Sequence, residues 1–254
     1  MTPLSVVIIT FNEERNIRRC IESVQGIADE IVVVDSFSTD STETICRTFG
    51  VRFLPRAWEG YSPAKNFGNE QARNNLILSL DADEALSPQL SESIAAIKRS
   101  GTTSVYKFNR MANYCGKWIR HGGWYPDVKV RIFDRTKTCW TGRIHETLRN
   151  IDERTAVHLQ GDCLHYSYSS LSDHIAQARR FSEIAAIELR QKGKRSSLLN
   201  CAMNPAIKFV RDYIFKLGFL DGKNGLIIAA ISAYATYLKY AKLARLRTDG
   251  RQVG

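Results

Sequence analysis

The sequence predicts an α/β fold: a Rossmann-like, mostly parallel sheet with helices on both faces, followed by a helical C-terminal region. Three observations carry this. Short, mainly apolar runs recur at residues 4–10, 31–34, 51–54 and 76–80, as in strands buried on both faces. Helix-length segments with start signals separate them, the rhythm of βαβ units. Three of the runs end in polar residues, at Thr10-Phe11-Asn12, Asp35 and Asp81-Ala82-Asp83. Doubly wound sheets bind their ligands beyond the carboxyl ends of the strands.

Taken in order, LSVVIIT at 4–10 is the first strand. Asn12 is read as the cap of a helix that carries Ile17, Cys20, Ile21 and Val24 on one face and stops at Gly26. The second strand, 31–34, runs into Asp35, and SFSTDST turns into a helix over about 41–49. After a short strand at 51–54, Ser62 and Pro63 read as N-cap and first residue of a helix to about 73. Ser87 and Pro88 repeat that signal after the 76–80 strand, for a helix to about 99. From 102 to about 165 the texture changes. SVYKFNRMANYCGKWI and VKVRIFDR alternate in polarity, which predicts antiparallel strands, and Gly122, Gly123 and Pro126 break the chain between them. An amphipathic helix follows over about 170–192, lined by Leu171, Ile175, Ala178, Phe181, Ile184, Ala185 and Leu189. RQKGKRSS reads as a linker, and the tail, about 205–247, as helical, apolar and basic.

A chain of 254 residues, 44% hydrophobic and 24% charged, can bury a core and is not composed like a disordered segment. Its six cysteines (Cys20, Cys46, Cys115, Cys139, Cys163, Cys201) include no CxxC pair. That predicts reduced thiols in a cytoplasmic protein rather than a disulfide frame or a zinc site. MTPLSVVIITFNEE has no basic n-region and no small-residue cleavage site, so it is expected to be mature protein. The net charge of +10 is uneven: residues 1–100 hold 10 basic and 14 acidic side chains, residues 101–254 hold 26 and 12. A strongly basic rear half predicts an anionic partner, whether nucleic acid, membrane surface or phosphorylated substrate.

NNLILSLDADEALSP, residues 74–88, is the most informative stretch. An apolar run delivers Asp81, Asp83 and Glu84 to one spot. Like charges repel, and burial penalises each of them further, so a positive group belongs there. If the strand continues, alternation puts Asp81 and Asp83 on one side. Mg²⁺ takes one or two carboxylates and leaves its other positions to water and phosphates, so the stretch predicts a metal seat for a phosphate-bearing ligand. The alternative is that these residues merely cap the next helix.

In order and spacing, LSVVIITFNEERNI, EIVVVDSFSTDST, SPAKNFG and LSLDADE resemble the successive signatures of the family 2 glycosyltransferases, which have the GT-A fold. HGGWYPDVKVRIFDR, WTGRIHE and GFLDGKNG resemble a narrower group, the lipopolysaccharide core glycosyltransferases that add β-linked glucose to inner-core heptose. The resemblance implies an inverting transfer from a nucleotide sugar, UDP-glucose in the narrower group. Residues 1–100 become the nucleotide-sugar-binding half of the GT-A domain and 101–167 its acceptor-binding half. Residues 168–254 become a helical C-terminal region with an interfacial membrane helix. It puts Thr10, Asn12 and Glu14 against the nucleotide and Asp35 on the uracil. Lys65 falls at the diphosphate. Asp83 becomes the main metal ligand, with Asp81 near the ribose or the metal's water, the metal being Mg²⁺ or Mn²⁺. The residue chemistry agrees: a strand-end carboxylate can accept from a base N–H, and Lys65 adds its charge to a helix N-terminus. Without the resemblance, Asp35 would serve as a turn residue and Lys65 as a solvated lysine.

Inversion needs a base to take the acceptor's proton while the diphosphate leaves from the opposite face. The family uses an Asp or Glu, often in an ED-like motif, which this chain lacks. GRIHE, residues 142–146, is the best match, with Glu146 as base and His145 positioning acceptor or diphosphate. Asp127 is the rival, and an ion pair with an arginine is the plainer fate of Glu146. For the acceptor, Trp124 and Tyr125 can stack on a sugar ring, and Lys129 and Arg131 alternate on a strand where they can meet an acidic acceptor; aromatics also fill cores, and charges also face solvent.

The segment 224–238, NGLIIAAISAYATYL, is uncharged but holds only 15 residues, short of the ~20 that a span needs. Basic residues flank it, and Tyr234, Tyr237 and Tyr240 suit headgroup depth. The expectation is peripheral attachment to an anionic surface, the inner face of the cytoplasmic membrane; a basic-ended core helix is the alternative. Other functions considered are the same fold acting on a lipid carrier, a peptide or another polysaccharide, and a nucleotide-binding scaffold without catalysis. Nucleic-acid binding is set aside because aromatics do not interleave with Lys and Arg in any recognised module. A nucleotidyltransferase would want a Gly-rich basic loop near the N-terminus. Nothing in the sequence sets the oligomeric state.

Overall fold

The computed structural model describes residues 1–101, 104–142 and 146–249. The chain divides into two compact units, residues 1–111 with 127–166 and residues 112–126 with 167–254.

In the first unit, β1 (Leu4–Thr10), β2 (Glu30–Asp35), β3 (Arg52–Pro55) and β4 (Leu76–Asp81) form the parallel half of the sheet in the order β3-β2-β1-β4. α1 (Ile17–Val24), α2 (Thr42–Thr48) and α3 (Tyr61–Gln71) connect them. β5 (Glu84–Leu86) and α4 (Pro88–Ser100) come next. The sheet continues from β4 through β8 (Asp127–Asp134), β6 (Tyr106–Tyr114) and β11 (Val157–Tyr168) to β5. β8 is antiparallel to both β4 and β6, and β11 is antiparallel to β5. β7 (Lys117–Trp118) pairs with the end of β6 in the second unit, and β9 (Trp140–Thr141) and β10 (Thr147–Leu148) make a separate ribbon. The predicted change from parallel to antiparallel strands after residue 101 is therefore observed.

Every residue of β1 is buried, and its alternation sorts side chains onto two layers. Leu4, Val6 and Ile8 meet Ile17, Ile21 and Val24 of α1 and Leu90 and Ile94 of α4. Val7 and Ile9 face Ala64 of α3, Phe133 and Trp140. Gly68 explains how closely α3 lies on the sheet: a Cβ there would come within 2.4 Å of Val7 Cγ1 and 2.9 Å of Val34 Cγ2. Bare backbone at Gly68 brings the helix that carries Lys65 down onto β1 and β2.

Two helix starts differ from the sequence reading, and each difference frees a side chain. Asn12 does not cap α1; its φ is +54° and the helix begins after Asn16. The left-handed turn sends the Asn12 Oδ1 to accept from Thr39 N at 2.8 Å. α3 starts at Tyr61 after Gly60, so Ser62 is not its N-cap. Its Oγ donates instead to the Gly142 carbonyl at 2.7 Å. Ser87 and Pro88 do open α4 as expected, with Ser87 Oγ accepting from Leu90 N.

In the second unit, α5 (Leu171–Gln191), α6 (Leu198–Val210) and α7 (Gly222–Asp249) are the main helices, with a π turn at Arg211–Phe215 and a 3-10 turn at Gly218–Asp221. The buried stripe of α5 is His174, Ala178, Ser182 and Ala186, while Leu171 and Phe181 are exposed. The predicted face is thus rotated: Ala178 stays buried, Ile175, Ile184 and Leu189 are half-buried, and Leu171 and Phe181 turn outward. The GFLDGKNG stretch is a structural knot. Asp221 is buried and accepts from His121 N at 2.8 Å and pairs with His121 Nδ1 at 3.1 Å. A Cβ on Gly225 would overlap the Gly218 carbonyl. The segment 224–238 lies inside α7, where Ile228, Ala229 and Ile231 are buried.

Overpacking a tight helix–sheet contact costs about 1–3 kcal/mol. Gly68→Val should therefore lower the thermal midpoint by several degrees, read by circular dichroism, whereas Gly50→Val, where a Cβ would meet open space, bears only the strain of its positive φ. An unchanged midpoint in Gly68→Val would contradict the packing described.

Candidate active site

The carboxylates of LDADE do meet cations, and the cations are the protein's own. β4 ends at Asp81, a turn at Ala82–Asp83 follows, and β5 begins at Glu84. The strand does not run on, so the expected alternation of Asp81 and Asp83 fails: Asp81 and Glu84 share Arg131, while Asp83 turns to a different partner. Asp81 Oδ1 lies 3.1 Å from Lys65 Nζ, and Asp81 Oδ2 accepts from Arg131 Nη2 at 3.0 Å. Glu84, whose side chain is fully buried, pairs with Arg131 at 3.1 Å and Arg110 at 3.2 Å, and its other oxygen accepts from Asp81 N. Asp83 pairs with His165 Nε2 at 3.0 Å.

The sheet supplies each partner. α3, lowered by Gly68, delivers Lys65, which is 1% exposed. β8 lies against β4 and brings Arg131, also buried. β6 places Arg110 directly across from Asp127. β11 sets His165 opposite Glu84. Asn66, next to Lys65, clasps the β9 backbone at Trp140 through both its amide atoms, at 2.8 and 2.9 Å. That clasp fixes the ribbon, and at its far end Glu146 Oε2 comes to 3.7 Å from Lys65 Nζ. The Lys65 ammonium also sits 5.1 Å from the Trp140 ring centroid, an attractive arrangement for a buried cation.

The charge states follow from this lattice. Burial pushes the Asp81 carboxyl up, but Lys65 and Arg131 more than offset it and hold the group well below the usual carboxylate range. Asp127 behaves likewise under Arg110 and Lys129, 2.8 and 2.9 Å away. Burial would lower His165, but the neighbouring Asp83 charge raises it above its ordinary value. Burial lifts Glu13 to about 7, with the Asn16 amide opposing and the Asp83 and Asp40 charges adding.

The remaining predicted residues are placed as follows. Thr10 ends β1, beside Asp35 in register, and its buried Oγ1 has no hydrogen-bond partner among the described residues. Asn12 and Glu14 stitch the loop after β1 to the loop after β2: Glu14 Oε2 accepts from Ser41 N at 3.1 Å. Asp35 is buried and accepts from both the backbone N and the Oγ of Ser38, a turn role of the kind the sequence left open. Arg131 faces the carboxylate lattice instead of an acceptor, and Lys129 is tied to Asp127. Trp124 and Tyr125 belong to the second unit, where Trp124 packs with Tyr114, Tyr168 and His174 at ring separations of 5.8–5.9 Å. His145 lies outside the described residues. Sequence reasoning missed Glu84 as a partner of Arg131, and it missed Arg110 and His165. Arg110 and His165 sit in ordinary strand sequence, and only the sheet order brings them to β4.

Comparison with known proteins agrees with this architecture. The pattern of glycosyl transferase family 2 matches residues 5–175. The chain belongs to that family. The fold is accordingly GT-A, and the chain is a family 2 glycosyltransferase. An uncharacterized glycosyltransferase of Rickettsia typhi is 30% identical over 264 residues, covering all of this chain and 90% of that protein. A lipopolysaccharide core biosynthesis glycosyltransferase, LpsC of Rhizobium meliloti, is 27% identical, covering 97% of this chain and 96% of its own. Among solved structures, glucosyl-3-phosphoglycerate synthase of Mycobacterium tuberculosis overlaps 44% of each chain at 21% identity with a TM-score of 0.37.

Removing one member of a buried ion-pair lattice strands the others without a partner, at about 3–5 kcal/mol. Glu84→Ala should lower unfolding free energy by that order in urea titrations, more than Glu59→Ala at an exposed ion pair. Equal, small losses at both positions would contradict the lattice.

Proposed function

We propose that this glycosyltransferase inverts configuration as it moves a sugar, glucose from UDP-glucose, onto the inner-core heptose of lipopolysaccharide. One observation carries the chemical part: the Glu146 carboxylate, 19% exposed, lies 3.7 Å from the buried Lys65 at the carboxyl end of the parallel sheet. A base open to a substrate and a cation suited to a diphosphate thus stand together. The full-length similarity to LpsC supports the acceptor class, and the second set of motifs supports glucose. A membrane-borne acceptor is consistent with a chain working at the inner face of the cytoplasmic membrane.

The two candidate bases separate on charge. A general base works best with a pKa near the working pH. Asp127 is bound by Arg110 and Lys129, and its proton affinity is depressed. Among the described residues Glu146 makes one looser ion pair, 3.7 Å to Lys65, so we assign it the acceptor proton. It would take that proton as the acceptor oxygen bonds to the anomeric carbon and the diphosphate departs from the opposite face. Lys65 is fixed by Asp81 and Trp140, so its charge is oriented before substrate arrives, which is how preorganised electrostatics favour a developing anion. Thr10 Oγ1, buried and without a hydrogen-bond partner among the described residues, is suited to a hydrogen bond from ligand.

A divalent metal fits a different pair from the one the sequence suggested. Among the described residues no three His, Cys, Asp or Glu side chains gather as a complete ligand set. Asp83 and His165, adjacent at 3.0 Å and each partly open to solvent, supply a carboxylate oxygen and an imidazole nitrogen. That leaves the other positions to water and phosphate, as small divalent ions prefer, and the imidazole favours Mn²⁺ over Mg²⁺. When bound, the metal would supply Lewis-acid stabilisation of the leaving diphosphate. Asp81, held by Lys65 and Arg131, acts by orienting Lys65.

The test is UDP release from a panel of UDP-sugars with heptose-bearing core acceptor. Release should be fastest from UDP-glucose and fall roughly 10²–10⁴-fold in Glu146→Gln, with folding and donor KM retained. Near-normal turnover in the variant would sink the Glu146 assignment, and no release from any UDP-sugar would sink the donor class.

A further inference from the structure

The second unit carries an apolar ridge that the transfer reaction does not use. Leu199, Met203, Ile207, Val210 and Ile214 are all exposed. Their spacing of three and four residues draws one stripe along α6 and into the π turn. The stripe leads to a tip formed by Phe215, Leu217, Phe219 and Leu220, and Phe215 is 77% exposed. Exposed apolar surface gathered this way marks a site that meets another apolar phase.

The charges around the ridge have one sign. Between residues 192 and 248 the only acidic residues are Asp212 and Asp221, and both are buried. Asp212 is consumed by Lys208 at 2.5 Å and Arg211 at 3.1 Å, and Asp221 by His121 and the neighbouring backbone. Lys194, Arg195, Lys216 and Lys223 are left exposed beside the apolar side chains. The outward apolar residues of α5 differ: Leu171, Phe181 and Ile187 are interleaved with Asp173, Glu183 and Glu188. Among the described residues no helix is long and apolar enough to cross a membrane.

We infer that the ridge from Leu199 to Leu220 seats the chain on an anionic lipid surface, with α6 lying in the interface and the Phe215–Leu220 tip entering the acyl boundary. An apolar stripe rimmed by cations, with every local carboxylate internalised, is the complement of an apolar slab under anionic headgroups. The ridge is more continuous than the segment 224–238, where Leu226, Tyr234 and Tyr237 are exposed but Ile228, Ala229 and Ile231 are buried. It deepens the membrane side of the proposed function but stands on separate residues.

The experiment is co-sedimentation of the full chain with phosphatidylcholine vesicles, with and without about one third phosphatidylglycerol. The chain should pellet with the anionic vesicles and much less with the neutral ones, and added salt should weaken the binding by screening. Phe215→Glu/Leu220→Glu should weaken vesicle affinity roughly tenfold or more. Met203→Glu/Ile207→Glu repeats the test on the body of α6, and circular dichroism checks that each variant folds. Wild-type chain left in the supernatant overturns the inference, as do folded variants that pellet like wild type. So does a wild-type dimer that dissociates in the variants without any vesicle binding, which would make the ridge a self-association surface. UDP release is read in parallel: its loss in wild type would count against the transferase reading and not against the ridge.

Discussion

The pairing of Asp81 and Glu84 with Lys65 and Arg131 is the interaction on which the site depends. A buried cation is expensive unless it is paired, and Lys65, 1% exposed, has its nearest carboxylate in Asp81 at 3.1 Å. Arg131 bridges Asp81 to Glu84, and Glu84 in turn accepts from the Asp81 backbone. Three segments, the end of β4, the start of β5 and the middle of β8, are thereby locked to one another and to α3. Packing sets the stage: Gly68 lets α3 down onto β1 and β2, and the Asn66 clasp on Trp140 carries the ribbon with Glu146 to the same ammonium. A slip in either contact would leave charges facing apolar walls.

The same lattice divides labour among carboxylates that look alike in sequence. Those tied to two cations, Asp81 and Asp127, stay ionised and serve as anchors. Asp83 leaves the strand in a turn and meets an imidazole, a pairing suited to a metal. Glu146, partly open and 3.7 Å from Lys65, is the carboxylate we propose as the base. Environment, more than residue type, assigns these roles.

Much of this was legible from the chain. The short apolar runs located all four parallel strands, and Ser87-Pro88 located the start of α4, because both signals are local. The meeting of Thr10, Asp35 and Asp81 at neighbouring strand ends was legible because parallel strands in such sheets end side by side. What the sequence could not give depended on distant segments. Asn12 looked like a cap until its backbone proved left-handed, and Ser62 found a better acceptor 80 residues away in Gly142. Asp81 and Asp83 would share a side only along a straight strand, and the chain turns at Ala82–Asp83. His165 and Arg110 joined the site through strand order, which no local pattern encodes. In the second unit the 3.6-residue period found α5 but not its buried face, since Ala178, Ser182 and Ala186 pack by being small and His174 by meeting Tyr114, Trp124 and Tyr168.

The central claim is that Asp83 and His165 form the metal-binding edge of a nucleotide-sugar site, with Lys65 and Asp81 acting as its organiser. Electron paramagnetic resonance of Mn²⁺ titrated into the protein with UDP tests it most directly, because it counts bound metal without requiring turnover. The account predicts one UDP-dependent bound Mn²⁺ per chain, lost in Asp83→Ala and in His165→Ala. Binding that persists unchanged in both variants, or no UDP-dependent binding in the wild-type protein, would contradict it.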